Sequence, residues 1–265
     1  MDTKALQLLS RYSLPPNSLH YCGLPSATNI FTNCIIDGKC REVKKEVKQF
    51  IVLWPYLKTI GEITNLDPFS SPVIEAYWFG NQLLKQITPD HYPILLKNLQ
   101  TQGVPKFLID EIKTKTPTKF VPIHLFNILH VGVGKASGSV PFNLDSINNC
   151  MLRWGKIIKI NPPNTQPQNQ AVIKSRDRVA PAANPGIDDQ NHLPTATIKL
   201  NSLKRVGSKY KFQIKNEVIP YNPEFTPLLR LGQTATVHWN LVCKILTQTE
   251  ETNLALWTTT LINSI

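Results

Sequence analysis

The hydrophobic pattern of this chain changes its period near residue 149, and this change constrains the fold more than any other feature of the sequence. Before that point, apolar residues recur at spacings of three and four, as in Val43, Val47 and Phe50, which is typical of amphipathic helices. After it, apolar and polar residues alternate, as in residues 210–215, which is typical of half-buried strands. The sequence therefore predicts an α+β protein, with a helical part followed by a β part.

We predict an all-α domain over residues 1–148 and a small OB-like β-barrel domain with a C-terminal helix over residues 149–265. Residues 161–194 are rich in Pro, Asn, Gln and Asp and contain few large apolar side chains. This composition predicts an extended insertion between two strands of the second domain.

Local signals place some element boundaries. Pro55 predicts a kink in the helical stripe that includes Val43, and Asp67-Pro68 predicts a helix start. Thr88-Pro89 and Pro105 are further helix starts of the same kind. In the second half, strands are expected over Cys150–Ile160 and Thr234–Trp239. Thr247 and Glu250 have the spacing of a capping box and predict the start of a final helix.

Composition limits the classes of function. Hydrophobic residues make up 42% of the chain, which is enough to bury a core and excludes a wholly disordered protein. Lysine and arginine outnumber acidic residues by 29 to 18, for a formal net charge of +11. This charge indicates an acidic partner, such as nucleic acid, an anionic surface or an acidic protein.

The sequence predicts no membrane span and a cytoplasmic location. Its longest apolar runs, such as Phe50–Trp54, fall far short of the roughly 20 residues that a span requires. The start, Met1-Asp2-Thr3-Lys4, lacks the basic and then apolar profile of a secretion signal. Five thinly spread cysteines without a secretory context predict free thiols or metal thiolates rather than a disulfide framework.

Two groups of candidate metal ligands lie in the first half. Thiolate and imidazole suit zinc or iron, but the spacing of these residues matches no standard zinc motif, and buried structural cysteines are the alternative. His124 and His130 would face different sides of one helix, so a helix end between them is needed for both to bind one metal. A metalloenzyme built on these groups is one hypothesis, although the chain has no complete catalytic motif and we expect no enzymatic activity. The first group is His20, Cys22, Cys34 and Cys40, and the second is His124 and His130.

The segment from Gly132 to Gly138 has glycines followed by a lysine, as phosphate-binding loops do. The first glycine of that motif is absent, since Leu129 stands there, and Ala136 replaces the Ser or Thr that holds magnesium. A structural turn is the preferred interpretation.

Cys150 and His238 are the most informative pair. Cys150 begins the run Cys-Met-Leu-Arg-Trp-Gly-Lys, in which Gly155 permits a bulge or a bend of the strand. His238 ends a second β run, Thr-Ala-Thr-Val-His, which follows the turn at Gly232.

This arrangement resembles the HypC/HupF family of nickel–iron hydrogenase maturation chaperones, over residues 149–265. Members begin with Met-Cys, followed by Pro-Gly-Lys and a β run, and continue through a Gly-Asp turn and a Val-His strand to an acidic-capped helix. Cys150, Gly155-Lys156 and Val237-His238 stand at the corresponding positions. Trp154 replaces the family's proline, and Cys150 is internal, so a terminal amine beside the thiol is absent.

The resemblance implies a non-enzymatic accessory protein. Cys150 and His238 would hold an iron fragment that carries cyanide and carbonyl ligands, since a thiolate and an imidazole suit low-spin iron. The implied partners are the hydrogenase large subunit and other maturation proteins. On this hypothesis, the thiol and the imidazole lie within bonding distance of each other and face outward; a half-buried cysteine and a core histidine are the alternative.

Nucleic-acid binding by the β-barrel is a second hypothesis. Lysines at 209, 211 and 215 flank Tyr210 and Phe212, and such a surface can combine cations with stacking rings. Strict alternation, however, places the two rings on the face opposite the lysines, where they would belong to the core.

Overall fold

The structure is a computed structural model that describes residues 2–136, 138–162 and 193–264. The first half is helical, as predicted, and apolar side chains from its helices form one continuous core. Short 3₁₀ turns lie at Gln82–Gln86 and Pro89–His91, and a π-helical turn lies at Asn127–Gly132. The helices are α1 (Thr3–Ser18), α2 (Ala27–Asp37), α3 (Val43–Val47), α4 (Leu53–Thr64), α5 (Ser71–Trp78), α6 (Tyr92–Thr101), α7 (Lys106–Lys113), α8 (His124–Phe126) and α9 (Leu144–Cys150).

Several predicted boundaries of the helical half are confirmed and others are wrong. Thr88 caps the 3₁₀ turn that leads into α6, and Pro105 is the N-cap of α7. The expected kink at Pro55 is instead a break between α3 and α4, and Pro55 lies in the first turn of α4, where proline is tolerated. Asp67 does not cap a helix, because its carboxylate accepts from the Phe69 N–H within a turn, and α5 begins only at Ser71.

The second half is an antiparallel five-stranded sheet followed by helix α10 (Gln248–Ile262), so the α+β class is confirmed. Thr247 and Glu250 form the predicted capping box. The predicted insertion at 161–194 falls largely on residues 163–192, which lie outside the described residues. The strands are β1 (Arg153–Asn161), β2 (Thr195–Val206), β3 (Lys209–Pro220), β4 (Thr234–His238) and β5 (Leu241–Ile245), in the order β3-β2-β1-β4-β5. Closure of this sheet into a barrel stays a prediction.

Cys150 does not begin a strand, contrary to expectation. It is the last residue of α9, and β1 starts at Arg153. The helix forms because Asn143 accepts from the Ser146 N–H while Ser146 Oγ accepts from the Asn143 N–H, a local capping box that favours a helix here.

Strand β4 is buried on both faces because it separates two apolar layers. Ala235 and Val237 face the interior of the sheet, where they pack with residues such as Ile198. Thr236 and His238 project from the opposite face and meet α1, where Thr236 Oγ1 lies 2.8 Å from the hydroxyl of Tyr12. The alternation of β4 thus directs His238 toward the helical half.

Within the described residues, every helix is too short or too polar to cross a bilayer.

Candidate metal centre

His238 is held by the backbone of the helical half. Its Nδ1 lies 2.8 Å from the carbonyl oxygen of Tyr12. A carbonyl oxygen only accepts, so Nδ1 carries the proton and Nε2 keeps its lone pair. Nε2 is buried and makes no hydrogen bond of good geometry with any residue that the structure describes. Metal-binding histidines commonly show this arrangement, in which the second nitrogen is anchored by a carbonyl.

The turn after His238 fixes the end of the strand. Trp239 and Asn240 have φ angles of +47° and +57° and connect β4 to β5. Two left-handed residues in a two-residue hairpin are the geometry of a type I′ turn, which Asn accommodates well. The Trp239 N–H donates to the Asn149 carbonyl at 2.7 Å, which ties this turn to α9 beside Cys150.

Cys150 is buried, with 7% of its surface exposed. The expectation that this thiol faces outward is therefore wrong, because the helical half packs over it. Its side chain lies beside His124, which the sequence had paired with His130 instead. His124 begins α8, and its Nε2 lies 3.8 Å from Cys150 Sγ and 2.9 Å from the Cys150 carbonyl oxygen.

Three side chains, His124, Cys150 and His238, form one cluster. Their ligand atoms all lie within 4.8 Å of one another. The expectation that Cys150 and His238 lie close together agrees with this geometry. Two imidazoles and one thiolate are a donor set that suits zinc, copper and iron.

A cavity of about 100 Å³ adjoins this cluster and is lined by Cys150 and His238. By the same measure, one water needs about 10–15 Å³. The cavity therefore has room for several small molecules beside the thiol. Gly23, which also lines it, is exposed, so the cavity reaches the surface at that side. Much of the remaining lining is apolar or aromatic, including Tyr12, Phe50, Tyr77, Trp78, Val133 and Trp239.

Burial sets the charge of the three groups. Loss of hydration lowers the pKa of His124 to about 4. It also lowers the pKa of His238 well below its ordinary value, with a smaller contribution from the neighbouring His124. Loss of hydration also raises the pKa of the Cys150 thiol well above its ordinary value. At neutral pH the cluster thus holds two neutral imidazoles and a protonated thiol.

The other predicted ligands lie elsewhere. Cys22 lines the same cavity as Cys150 but is not part of the cluster, and loss of hydration raises its pKa to about 12. His20 is exposed. Cys34 and Cys40 form a disulfide, so the expectation of free thiols or metal thiolates is wrong for this pair. Cys40 directly follows the turn that ends α2 at Gly38, and this turn brings the two side chains together.

His130 lies apart from the cluster, as its spacing from His124 predicts. His130 lies within the π-helical turn, and its Nε2 is 2.5 Å from the hydroxyl of Tyr92. The glycine-rich segment that starts at Gly132 is a turn over the cavity, in line with the structural interpretation; Ser137 lies outside the described residues.

In the hairpin of β2 and β3, the aromatic rings and the lysine side chains of β3 point to opposite faces. Tyr210 and Phe212 are half-buried and pack against the core, whereas Lys209, Lys211 and Lys215 are exposed. The alternation therefore puts the aromatic rings inward, as expected from the sequence.

The fold and the site define an α+β protein with a buried cluster of two histidines and one cysteine. The chain belongs to a family of unknown function, DUF6390, whose model matches residues 1–185. The matched region contains His124 and Cys150 and ends before β2, so His238 lies beyond it. Comparisons with curated proteins and with solved structures found no match.

Proposed function

We propose that the protein is a non-enzymatic accessory protein of nickel–iron hydrogenase maturation, which holds an iron fragment through Cys150 and His238. One observation carries the proposal. The two residues that stand at the positions of the HypC/HupF cysteine and histidine come from separate segments, and their ligand atoms lie within 4.8 Å of each other.

The chemistry of the site supports a soft transition metal as cargo. A thiolate and a neutral imidazole suit low-spin iron that also carries cyanide and carbonyl groups. The adjoining cavity of about 100 Å³ has space for such small ligands on the open side of Cys150 and His238. A protonated thiol must lose its proton on binding, so loading is favoured as pH rises.

The proposed partners are the hydrogenase large subunit and other maturation proteins. A net charge of +11 favours association with an acidic surface and increases the rate of encounter at low salt. Because Cys150 is buried, delivery of the iron fragment requires the partner to reach it through the cavity or to open the contact between α8 and α9.

Anaerobic purification from the native host tests this proposal, with infrared spectroscopy in the cyanide and carbonyl stretching region. We expect bands in the wild-type protein that disappear in Cys150→Ala and persist in Cys243→Ala, since Cys243 is also a buried free cysteine but lies outside the cluster. Preparations without such bands and without a hydrogenase-assembly partner would argue against the proposal, and zinc in their place would indicate another cargo.

Nucleic-acid binding remains the second candidate, favoured by the net charge and by the exposed lysines of β3. The inward packing of Tyr210 and Phe212 removes these rings as stacking surfaces. Titration with single-stranded DNA and RNA at low salt tests this second candidate. A salt-dependent complex would favour nucleic-acid binding, and the absence of a complex would leave metal carriage as the remaining candidate function.

A further inference from the structure

His124 comes from the helical half and lies between two hydrogen-bonding groups. Its Nδ1 is 2.8 Å from the hydroxyl of Tyr77, and its Nε2 is 2.9 Å from the carbonyl oxygen of Cys150. Because that carbonyl only accepts, Nε2 carries the proton in this arrangement, and Tyr77 donates to Nδ1. The ring is therefore satisfied on both sides without a metal.

The same ring is nearly at metal-ligand distance from the thiol. Bonds of about 2.3 Å to sulfur and about 2.0 Å to nitrogen at a tetrahedral angle place the two atoms roughly 3.5 Å apart. Cys150 Sγ and His124 Nε2 are 3.8 Å apart, and all three ligand atoms of the cluster lie within 4.8 Å. A closure of at most about 1.5 Å between the most distant pair brings them to tetrahedral spacing.

The third candidate ligand atom, His238 Nε2, needs no change of tautomer to bind a metal. His238 Nε2 is buried and lacks a well-aligned hydrogen bond within the described parts of the chain, and the residue is 1% exposed. A buried polar atom without a partner is uncommon and has a free-energy cost. A metal held between His238, Cys150 and His124 would satisfy it.

We propose that His124 is a third metal ligand, which exchanges its hydrogen bond to the Cys150 carbonyl for a bond to the metal. This inference rests on the proposed function in that it concerns the same cargo site. It adds that α8 contributes a ligand beside those of α9 and β4, and that the fourth position faces the cavity.

Every proton is accounted for when His124 exchanges its hydrogen bond for a bond to the metal. As the metal binds, Cys150 Sγ forms the sulfur–metal bond and releases its thiol proton to solvent. His124 stays neutral, since it loses the proton on Nε2 and gains one on Nδ1. The Tyr77 hydroxyl can donate to Nδ1 or accept from it, so it stabilises the ring in both tautomers.

Tyr77 is accordingly a positioning residue for His124. A hydrogen bond to the second ring nitrogen fixes the orientation of a histidine ligand, and its loss weakens metal binding by about 10–100-fold. The chain contains a matched control, because His130 makes a similar bond to Tyr92 away from the cluster.

Titration of the purified full chain with Co²⁺ under anaerobic conditions tests the inference. We expect a thiolate-to-cobalt charge-transfer band and the intense visible bands of four-coordinate cobalt. His124→Gln should weaken binding by about 100-fold or more and reduce the visible bands, and Tyr77→Phe should weaken it by about 10-fold. His130→Gln should match the wild type.

Nuclear magnetic resonance of ¹⁵N-histidine in the wild-type chain keeps the test independent of how the variants fold. In the metal-free protein we expect the proton of His124 on Nε2 and that of His238 on Nδ1. Addition of Zn²⁺ should move the His124 proton to Nδ1 and leave that of His238 in place. A His124 ring that keeps its Nε2 proton in the loaded protein would overturn the inference.

The outcomes separate the two proposals. Cobalt binding that Cys150→Ser abolishes and His124→Gln leaves unchanged would overturn the role of His124 alone. A cobalt site with all three ligands, in a protein that carries no iron fragment in its host, would overturn the hydrogenase proposal and leave the three-ligand site. Failure of the wild type to bind Co²⁺ would overturn the inference.

Discussion

Among the residues that the structure describes, the imidazoles of His124 and His238 form hydrogen bonds with neutral groups only, namely carbonyl oxygens and the Tyr77 hydroxyl. These three bonds offset only part of the hydration that a charged ring would lose on burial. The two rings therefore remain neutral over the range in which an exposed histidine takes up a proton, and the folded chain is sensitive to acid when it carries no metal.

We expect the free energy of unfolding of the metal-free chain to fall as pH falls from about 6.5 to about 4. Burial lowers the pKa of His124 from 6.5 to about 4. Between these values the unfolded state binds more protons than the folded state, so acid favours unfolding. His124 alone should contribute a loss of about 2 kcal/mol by pH 5.

Urea unfolding at pH 7 and pH 5 checks this prediction. His124→Gln should show a smaller difference between the two pH values than the wild type does. His20→Gln, at an exposed position, should show the wild-type difference. An equal difference in all three proteins would mean that other groups cause the acid sensitivity.

Strand β1 lies between β2 and β4, and at Gly155 its backbone lies close to that of β2. A Cβ at this position would lie 2.0 Å from the Lys199 carbonyl oxygen and 2.6 Å from its carbon. The backbone atoms of a central strand cannot move aside as a flexible side chain can. The glycine that the sequence analysis associated with a bulge therefore allows a close approach of two strands.

Gly155→Ala should lower the free energy of unfolding by about 3 kcal/mol or more, because the strands must separate to admit the methyl group. Gly207→Ala is the control. Gly207 lies in the turn between β2 and β3 with φ of +62°, and an added Cβ there would have no described atom within 4 Å. Its replacement should cost only about 1 kcal/mol, from the left-handed backbone. Similar losses in denaturant unfolding would contradict this account.

Local sequence patterns predict which helices and strands form better than they predict where these elements end. Thr247 and Glu250 predicted the start of α10 because a capping box is a local signal. Cys150 was misplaced because its apolar neighbours resemble a strand, whereas the capping at Asn143 carries the helix through to it. The alternation that begins after the cysteine did predict β1.

The candidate site was predictable only in part. Family resemblance indicated Cys150 and His238, but no local pattern pairs His124 with them. His124 reaches the cluster because α8 and α9 are brought together by the tertiary fold, and its partners Tyr77 and Cys150 are distant in sequence. Such contacts are not encoded in spacing, and neither the burial of the thiol nor the disulfide of Cys34 could be deduced from it.

The two halves of the molecule are joined by buried polar contacts as well as by apolar packing. Tyr12 of α1 is central, since its hydroxyl lies 2.8 Å from Thr236 Oγ1 and its carbonyl accepts from His238. Its ring also packs 5.0 Å from that of Trp78. The candidate metal centre thus lies at a contact that depends on both halves.

Tyr12→Phe and Thr236→Val should each lower the free energy of unfolding by about 1–2 kcal/mol, because each leaves a buried polar atom with fewer partners. The double variant should lose less than the sum of the two, with a coupling energy of about 1 kcal/mol. Chemical denaturation of the four proteins gives this value. Tyr12→Phe combined with the exposed Thr252→Val should be additive, and additivity in the first cycle would contradict a bond between the halves.

The cluster takes one side chain from each of three segments, and a ribosome makes the last of them, β4, after both others. A nascent chain that has not yet been synthesised as far as His238 lacks one of the three ligands and should bind cations weakly. If the protein is a carrier, it therefore acquires its full metal affinity only late in translation, and the growing chain does not capture free ions in the cell.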